Sequence, residues 1–237
     1  MKFYVPTCNK FAYILGAYAE MFNKYWPDQE VVVLCYDTMN IPELPENFEI
    51  ISLGRQEDFG IFWTDGLIPF FKSIDDEYFG MGMEDVFLVQ PIDKPVLDKM
   101  LDMVSSGYAA KAMLHAHLKC TPLDDDLSLI HPNAPYRTSL HPSIWRRDYF
   151  LRYLKPGQTA WHFEMHNTKE AMGDGLNLLR PAKRHVFNCM NVFRRGTAVF
   201  HYPTAPSPAG DPPLDPADLE MIKRAVLCGT DNLKPTG

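Results

Sequence analysis

The sequence predicts an α/β fold in which helices flank a single, mostly parallel sheet. Strand and helix patterns alternate over the first 115 residues in the order β, α, β, β, α, β, α, β. Residues 30–36 (EVVVLCY) form an almost continuous apolar run, which is typical of a strand buried on both faces. Residues 10–25 carry apolar side chains at helical spacing. A sheet with such strands needs helices on both faces.

The N-terminal half is predicted to consist of short strands and helices. Residues 2–6 (KFYVP) predict the first strand, and Asn9 is placed to cap the helix over 10–25. Pro69 predicts a kink or a break in its helix, whereas Pro95 suits a first helical turn. The other predicted elements of this half are strands at 30–36, 48–53, 78–83, 86–89 and 108–115, and helices at 62–74 and 95–105.

The C-terminal half has weaker patterns. Residues 203–216 are rich in proline and predict an extended, irregular segment. Asp215-Pro216 then starts a final helix. The predicted elements are a loop at 120–137, a strand at 137–144, a helix at 148–154, a helix or strand at 185–193, a strand at 197–202 and the final helix at 217–227.

Composition and charge narrow the classes of function. The formal net charge of −7 argues against sequence-independent binding of nucleic acid, although three short basic clusters remain. Five widely spaced cysteines without a CxxC pair argue against disulfides or a zinc–thiolate motif and suit a reducing compartment. Neither a signal peptide nor a run of about 18 apolar residues is evident, so we expect a cytoplasmic protein. The basic clusters are Arg146-Arg147, Lys183-Arg184-His185 and Arg194-Arg195.

Two acidic motifs could carry chemistry. Glu84 and Asp85 directly follow an apolar strand, and paired carboxylates at such a strand end suit Mg²⁺ or Mn²⁺ together with phosphate oxygens. Glu164 lies beside Trp161 and Phe163, where partial desolvation would raise its pKa and suit it to proton transfer. Taken singly, each motif is better explained as a solvated turn or a surface loop.

Six ordered segments resemble GT-A-type glycosyltransferases of bacterial capsule and lipopolysaccharide clusters, of which the chain could be a virus-encoded relative. The order and spacing of these segments over residues 3–200 carry the resemblance. It departs from the family pattern at Asn9, Gly66 and His141, where Asp, Arg and Gln are usual. The segments are Pro6-Thr7-Cys8-Asn9-Lys10-Phe11, Trp63-Thr64-Asp65-Gly66-Leu67, Glu84-Asp85-Val86-Phe87-Leu88, Leu140 to Leu151, Pro156 to Glu164, and Asn191-Val192-Phe193-Arg194-Arg195-Gly196-Thr197.

The resemblance implies a Rossmann-like catalytic domain over residues 1–202, with residues 203–237 as an extension whose helix packs on the same domain. It also implies a nucleotide-sugar donor, commonly a UDP-sugar, and a divalent cation, Mn²⁺ or Mg²⁺. Glu164 would be the general base of an inverting transfer, and Glu84 and Asp85 would hold the metal and the diphosphate. The other implied contacts are Thr7, Asn9 and Asp65 to the nucleotide, Arg194 and Arg195 to the diphosphate, and Trp145, Trp161 and His141 to the sugar or acceptor.

Two other classes of function and two acceptors stay open. His115 with His117, and His162 with His166, could build the zinc site of a hydrolase, or the chain could be a non-catalytic sugar-nucleotide-binding module. The acceptor is a glycan or glycolipid, or a hydroxymethylated pyrimidine in DNA, which would have to be flipped out of the duplex. Salt-sensitive DNA binding would favour the second acceptor.

Overall fold

The computed structural model describes residues 1–37, 40–202 and 207–230 of the chain. The strands are β1 (Phe3–Pro6), β2 (Val31–Cys35), β3 (Phe48–Ser52), β4 (Tyr78–Met81), β5 (Val86–Leu88), β6 (Lys111–Met113), β7 (Cys120–Pro122), β8 (Leu127–Ile130), β9 (Ser143–Arg146), β10 (Leu178–Pro181), β11 (Cys189–Arg194) and β12 (Thr197–His201). The helices are α1 (Leu15–Tyr25), α2 (Gln56–Phe59), α3 (Trp63–Ser73), α4 (Lys94–Ser105), α5 (Arg147–Tyr153), α6 (Ala160–Ala171) and α7 (Pro216–Thr230), with a 3-10 helix at Asn9–Ile14.

The described strands form a large and a small sheet. The order of the large sheet is β3-β2-β1-β4-β9-β6-β10-β8-β7. β3, β2, β1 and β4 are mutually parallel, and β10 is parallel to β6. β9 lies antiparallel between β4 and β6, and β7 and β8 form an antiparallel edge. The small sheet, β12-β11-β5, is antiparallel. The predicted α/β class is confirmed, with a parallel N-terminal half and a mixed C-terminal half.

Alternation of side chains along β1 explains why both faces of the sheet are covered. Phe3 and Val5 pack into one apolar cluster with Leu15 and Phe22 of α1. Tyr4 points the other way, into a second cluster with α3 and α5. Both faces of the strand are therefore buried, which explains why the sequences of the central strands are continuous apolar runs.

Several predicted elements differ from the structure in informative ways. The helix predicted over 10–25 begins as a 3-10 helix and becomes an α-helix at Leu15. α3 continues through Pro69, so the proline removes one hydrogen bond without ending the helix. The strand predicted at 137–144 is wrong for its first six residues, because Thr138 to Leu140 bond to α6 rather than to a strand. The loop predicted at 120–137 contains the β7–β8 hairpin.

The C-terminal helix packs against the first helical layer. Ile222 and Val226 of α7 are buried in the cluster that contains α1. Asp218 accepts a hydrogen bond from Lys24 at 2.5 Å and another from Tyr25. The final helix is thus confirmed, whereas part of the proline-rich segment, residues 203–206, lies outside the described residues. Within the described part of the chain, no helix has the length and apolar character that crossing a bilayer would require.

Candidate active site

A cleft opens where the parallel strands β1, β4 and β6 end, between the large sheet and the β11–β12 hairpin. It has two adjoining lobes of about 420 Å³ and about 460 Å³. The histidine lobe adds His117, Ser139 and His201, and the aspartate lobe adds Asp85, Trp161 and Arg195. This is the edge at which open α/β sheets bind ligands. Both lobes share Tyr136, His141, Glu164, Asn191, Phe193 and Arg194.

Glu164 projects into both lobes from the second turn of α6. Thr159 caps this helix by accepting a hydrogen bond from the amide of His162 at 3.2 Å. Oε1 of Glu164 accepts hydrogen bonds from the amide of Leu140 at 2.6 Å and the hydroxyl of Ser139 at 3.1 Å. Among the described residues, none donates to Oε2 of Glu164. One oxygen is therefore fixed by the protein, and the other is left for a ligand.

The electrostatic surroundings of Glu164 suit a base. Burial raises the pKa of its carboxyl group, and the two hydrogen bonds at Oε1 and the Lys111 ammonium group oppose that increase. Burial lowers the pKa of Lys111 well below its usual range. Nζ of Lys111 donates to the carbonyls of Arg137 at 3.1 Å and Ser139 at 2.7 Å. Lys111 thereby holds in place the loop that fixes Glu164.

The structure separates the two acids that follow β4. Glu84 is buried, its Oε1 accepts a hydrogen bond from the Thr7 hydroxyl at 3.3 Å, and its Oε2 has no partner among the described residues. Asp85 instead lines the aspartate lobe. Burial raises the pKa of both carboxyl groups, and the neighbouring Asp85 raises that of Glu84 further. A cation bound at Asp85 would therefore stabilise the charged forms of both carboxyl groups.

The side chains fit a hard divalent cation only in combination with a ligand. Magnesium is commonly held by one or two carboxylates together with substrate phosphates, and Asp85 supplies one carboxylate on the cleft surface. Glu84 does not line the cleft, so its predicted role as a direct metal ligand stays a prediction. The buried Glu84 carboxyl group can still favour a positive charge near Asp85.

Arg194 and Arg195 belong to the β11–β12 hairpin and line the same lobe as Asp85. Both side chains are exposed, and both line the aspartate lobe. Arg195 and Gly196 have φ values of 52° and 76°, as a two-residue hairpin turn with left-handed central residues requires. Guanidinium groups pair well with phosphate oxygens. The lobe therefore offers the two charge types that a metal–diphosphate group needs.

The two predicted stacking tryptophans have opposite environments. Trp161 is 62% exposed and lines the aspartate lobe, so its indole is free to stack on a ligand. Trp145 is 0% exposed, with Phe150 packed against it and Nζ of Lys111 3.8 Å above its ring. Its predicted acceptor contact is wrong, because β9 is a central strand covered on both faces.

The predicted nucleotide contacts are divided between three places. Thr7 is buried against Glu84. The amide of Asn9 donates to the Gln56 side chain at 2.8 Å, away from the cleft lining. Asp65 accepts a hydrogen bond from the amide of Gly157 at 2.7 Å and so fastens α3 to the loop before α6. The nucleotide roles of these three residues stay predictions.

The histidines do not form the predicted four-residue zinc site. His115, His117 and His141 lie together, with ring centroids 5.0–6.0 Å apart. His162 and His166 stack on each other along α6, beside Trp161. Among the described residues, the group with metal-ligand spacing includes His115 and neither member of the second pair. The four-histidine arrangement is therefore wrong.

Sequence reasoning missed four lining or supporting residues. Lys111 and Ser139 belong to no motif, and Asn191 opens the sixth family-like segment without a predicted role, since the roles of all three depend on which segments the sheet brings together. Tyr136 lines both lobes with φ 60°, which is uncommon for a side chain other than glycine and concentrates at functional sites. No local sequence signal marks that conformation.

No protein-family profile matches the chain, and a search of curated proteins finds no relative. Solved structures give distant similarities. Residues 1–349 of S. aureus TarS have 14% identity and a TM-score of 0.49, over 78% of this chain and 59% of that one. A CMP:2-keto-3-deoxy-manno-octonic acid synthetase in complex with CTP has 16% identity and a TM-score of 0.47, over 97% and 98% of the two chains.

The galactosyltransferase LgtC with donor and acceptor sugar analogues has 16% identity and a TM-score of 0.42, over 73% of this chain and 66% of that one. The chain spans about three fifths of the TarS fragment. All three similarities are distant ones between folds.

Proposed function

We propose that the chain is a glycosyltransferase that moves a sugar from a nucleotide-sugar donor to an acceptor hydroxyl group, with inversion at the anomeric carbon. The observation that carries the proposal is that Glu164 and Asp85 share one cleft, where Glu164 has one uncommitted oxygen and Asp85 lines the same lobe as two arginines. One carboxylate suits proton transfer, and the other suits a cation bound to a diphosphate.

In the proposed reaction, Oε2 of Glu164 accepts the proton of the acceptor hydroxyl group. The acceptor oxygen forms a bond to the anomeric carbon as the bond from that carbon to the diphosphate oxygen breaks. The nucleoside diphosphate leaves with its charge near Arg194 and Arg195. The raised pKa of Glu164 makes it a stronger base than an exposed glutamate.

Asp85 would hold the divalent cation together with the donor's diphosphate oxygens. The cation supplies Lewis-acid stabilisation of the leaving group when it is bound. Trp161 would cover one face of the sugar or acceptor at the mouth of the aspartate lobe. The nucleotide is proposed as UDP, as in the TarS fragment that has also been solved with UDP.

Two measurements on one panel test this proposal. Wild type and Asp85→Asn are incubated with each nucleotide sugar and Mn²⁺ or Mg²⁺, and melting temperature and nucleoside diphosphate release are recorded. A donor at about 100 times its Kd should stabilise wild type by about 2.7 kcal/mol, or about 5–11 °C, in a metal-dependent manner. Asp85→Asn should lose this shift, whereas the exposed control Asp98→Asn should keep it.

Glu164→Gln tests the base. Glutamine keeps the Oε1 acceptor that binds Ser139 and Leu140, so donor binding should persist while transfer falls about 10²–10⁴-fold. The matched control is Glu170→Gln, because Glu170 lies on the same helix and pairs with Lys155 at the surface. Equal transfer by Glu164→Gln and wild type would contradict the role of Glu164.

Nucleotidyl transfer is the competing reaction for a site of this kind. The same panel should contain nucleoside triphosphates with sugar phosphates, and release of pyrophosphate would identify that activity. If no nucleotide or nucleotide sugar binds under any metal condition, the chain is a different class of protein. A non-catalytic module would bind a donor and give no transfer with any acceptor.

The proposed acceptor belongs to one of two classes. A glycan or glycolipid acceptor would use Trp161 as a stacking surface. Duplex DNA with hydroxymethylated pyrimidines would also need the arginines, and its binding should weaken steeply as salt rises. Absence of DNA binding at low salt would exclude the DNA acceptor and leave the glycan.

A further inference from the structure

The floor of the histidine lobe holds a cluster that the proposed transfer does not use. It contains two imidazoles, from His115 and His141, and the thiol of Cys189. One ligand atom of each lies within 4.8 Å of the others. We propose that His115, His141 and Cys189 bind one Zn²⁺ ion, with the fourth coordination position open to the cleft beside His117.

The spacing of the cluster suits tetrahedral zinc. Zn–N and Zn–S bonds of about 2.0–2.1 Å and about 2.3 Å place a nitrogen and a sulfur ligand about 3.6 Å apart at the tetrahedral angle. The Sγ atom of Cys189 lies 3.6 Å from Nε2 of His115. His141 is only half-buried, so its ring can turn to complete the third ligand.

Three ring nitrogens in and beside the cluster have no hydrogen-bond partner among the described residues. His115 is almost fully buried, and its Nδ1 has no hydrogen-bond partner among the described residues. The same holds for Nδ1 of His141 and of His117. A buried ring nitrogen without a partner costs free energy unless something binds it. Nδ1 of His141 is thus available to a metal ion, whereas His115 faces Cys189 through its Nε2.

The donor set favours zinc over the cation proposed at Asp85. Two imidazoles and one thiolate suit Zn²⁺, whereas Mg²⁺ and Mn²⁺ prefer carboxylate oxygens. Entry is open from the cleft, because His117 and His141 line the histidine lobe. The two sites would therefore take different metals from opposite lobes of the cleft.

Three distant segments supply the ligands. His115 follows β6, His141 precedes β9, and Cys189 begins β11 of the small sheet. The ion would tie the small sheet to the large one beneath the cleft. Sequence spacing predicts no zinc–thiolate site because Cys189 has no CxxC partner, and the fold supplies its partners instead.

The test uses reduced full-length protein stripped with a chelator and then titrated with Zn²⁺ or Co²⁺. We expect one Zn²⁺ per chain by mass spectrometry of metals, and a rise in melting temperature of about 5–10 °C at 100-fold excess over Kd. With Co²⁺ we expect a thiolate-to-metal charge-transfer band and the strong visible bands of tetrahedral cobalt.

Matched variants make the result specific. Cys189→Ser should abolish the charge-transfer band and the tight zinc, whereas Cys35→Ser should keep both, since Cys35 is an equally buried strand cysteine. His162→Asn with His166→Asn removes the histidine pair on α6 and should also leave both signals unchanged. His141→Gln should shift the visible bands, which gives a second readout if Cys189→Ser fails to fold.

Three results would overturn the assignment. Wild type could take up no tightly held zinc, the cobalt protein could lack the charge-transfer band, or Cys189→Ser could retain it. Zinc that disappears only with the α6 pair would place the ion on the surface. Because donor binding is measured separately at Asp85, failure of the zinc site leaves the proposed transferase unaffected.

Discussion

Substituting Asp174 with alanine should destabilise the protein strongly, because it leaves a buried charge without its partner. Arg137 and Asp174 form an ion pair at 2.8 Å in which both side chains are 1% exposed. Asp174 also accepts hydrogen bonds from the hydroxyl groups of Tyr149 at 3.2 Å and Tyr153 at 2.9 Å. Breaking a buried pair on one side typically costs about 3–5 kcal/mol.

The hydrogen bonds that Arg137 keeps in the variant reduce the expected loss of stability toward the lower end of that range. Its guanidinium group also donates to the carbonyls of Ala171 at 2.7 Å and Leu176 at 3.1 Å, which partly stabilise the orphaned charge. At about 2–4 °C per kcal/mol for a chain of this size, the melting temperature should fall by about 6–20 °C. Urea unfolding followed by tryptophan fluorescence measures the free energy directly.

A surface pair provides the control for this substitution. Lys155 and Glu170 are about half exposed, so Glu170→Ala should cost less than about 1 kcal/mol. Replacing both Arg137 and Asp174 with apolar residues should recover much of the loss, because no charge then stays buried. A loss below about 1 kcal/mol in Asp174→Ala would refute the reasoning.

Four further substitutions should change stability or its dependence on pH. Lys111→Met should cost about 1–3 kcal/mol in urea unfolding, since two buried carbonyls lose their donor, and it should lower kcat of the proposed transfer more than donor affinity. Burial, with help from Asp174, raises the pKa of Tyr153 from about 10 to about 12. Folded protein therefore keeps a proton that unfolded protein loses, so stability should decline as pH rises from 10 to 12, and Tyr153→Phe should show a shallower decline. Gly80→Ala should destabilise by about 1–3 kcal/mol because its Cβ would lie 2.4 Å from the buried ring of Phe3, whereas Gly16→Ala in helix α1, with its nearest contact at 3.6 Å, should stabilise by about 0.4–1 kcal/mol.

The cleft was only partly predictable, and the failures have physical causes. The sequence does not predict α6 as a helix, because the buried face of α6 carries Asn167 and Thr168 beside Phe163 and Ala171, which interrupts the apolar spacing. Asn167 is accommodated there because its side chain bonds the carbonyl of Tyr153 at 2.6 Å. Because this hydrogen-bond partner lies on another helix, no local sequence pattern predicts that Asn167 can be buried.

The acid pair after β4 was likewise predictable in its position but not in the environment of each side chain. Glu84 and Asp85 are adjacent in sequence, and their position after β4 placed them at the ligand-binding edge. Which of the two reaches the cleft depends on the Thr7 hydroxyl, which holds Glu84 beneath β1. The contact spans 77 positions along the chain and follows from the parallel pairing of β1 with β4.

The sequence by itself determined the α/β class, the central apolar strands and the position of the acids at strand ends, because strand burial and helix amphipathicity leave period-specific patterns. Tertiary structure alone decided that Trp145 is core, that Lys111 supports the Glu164 loop, and that Cys189 meets His115 from 74 positions away. All three depend on β9 lying between β4 and β6 and on β11 pairing with β5. Strand order is a property of long-range packing, and local sequence patterns do not encode it.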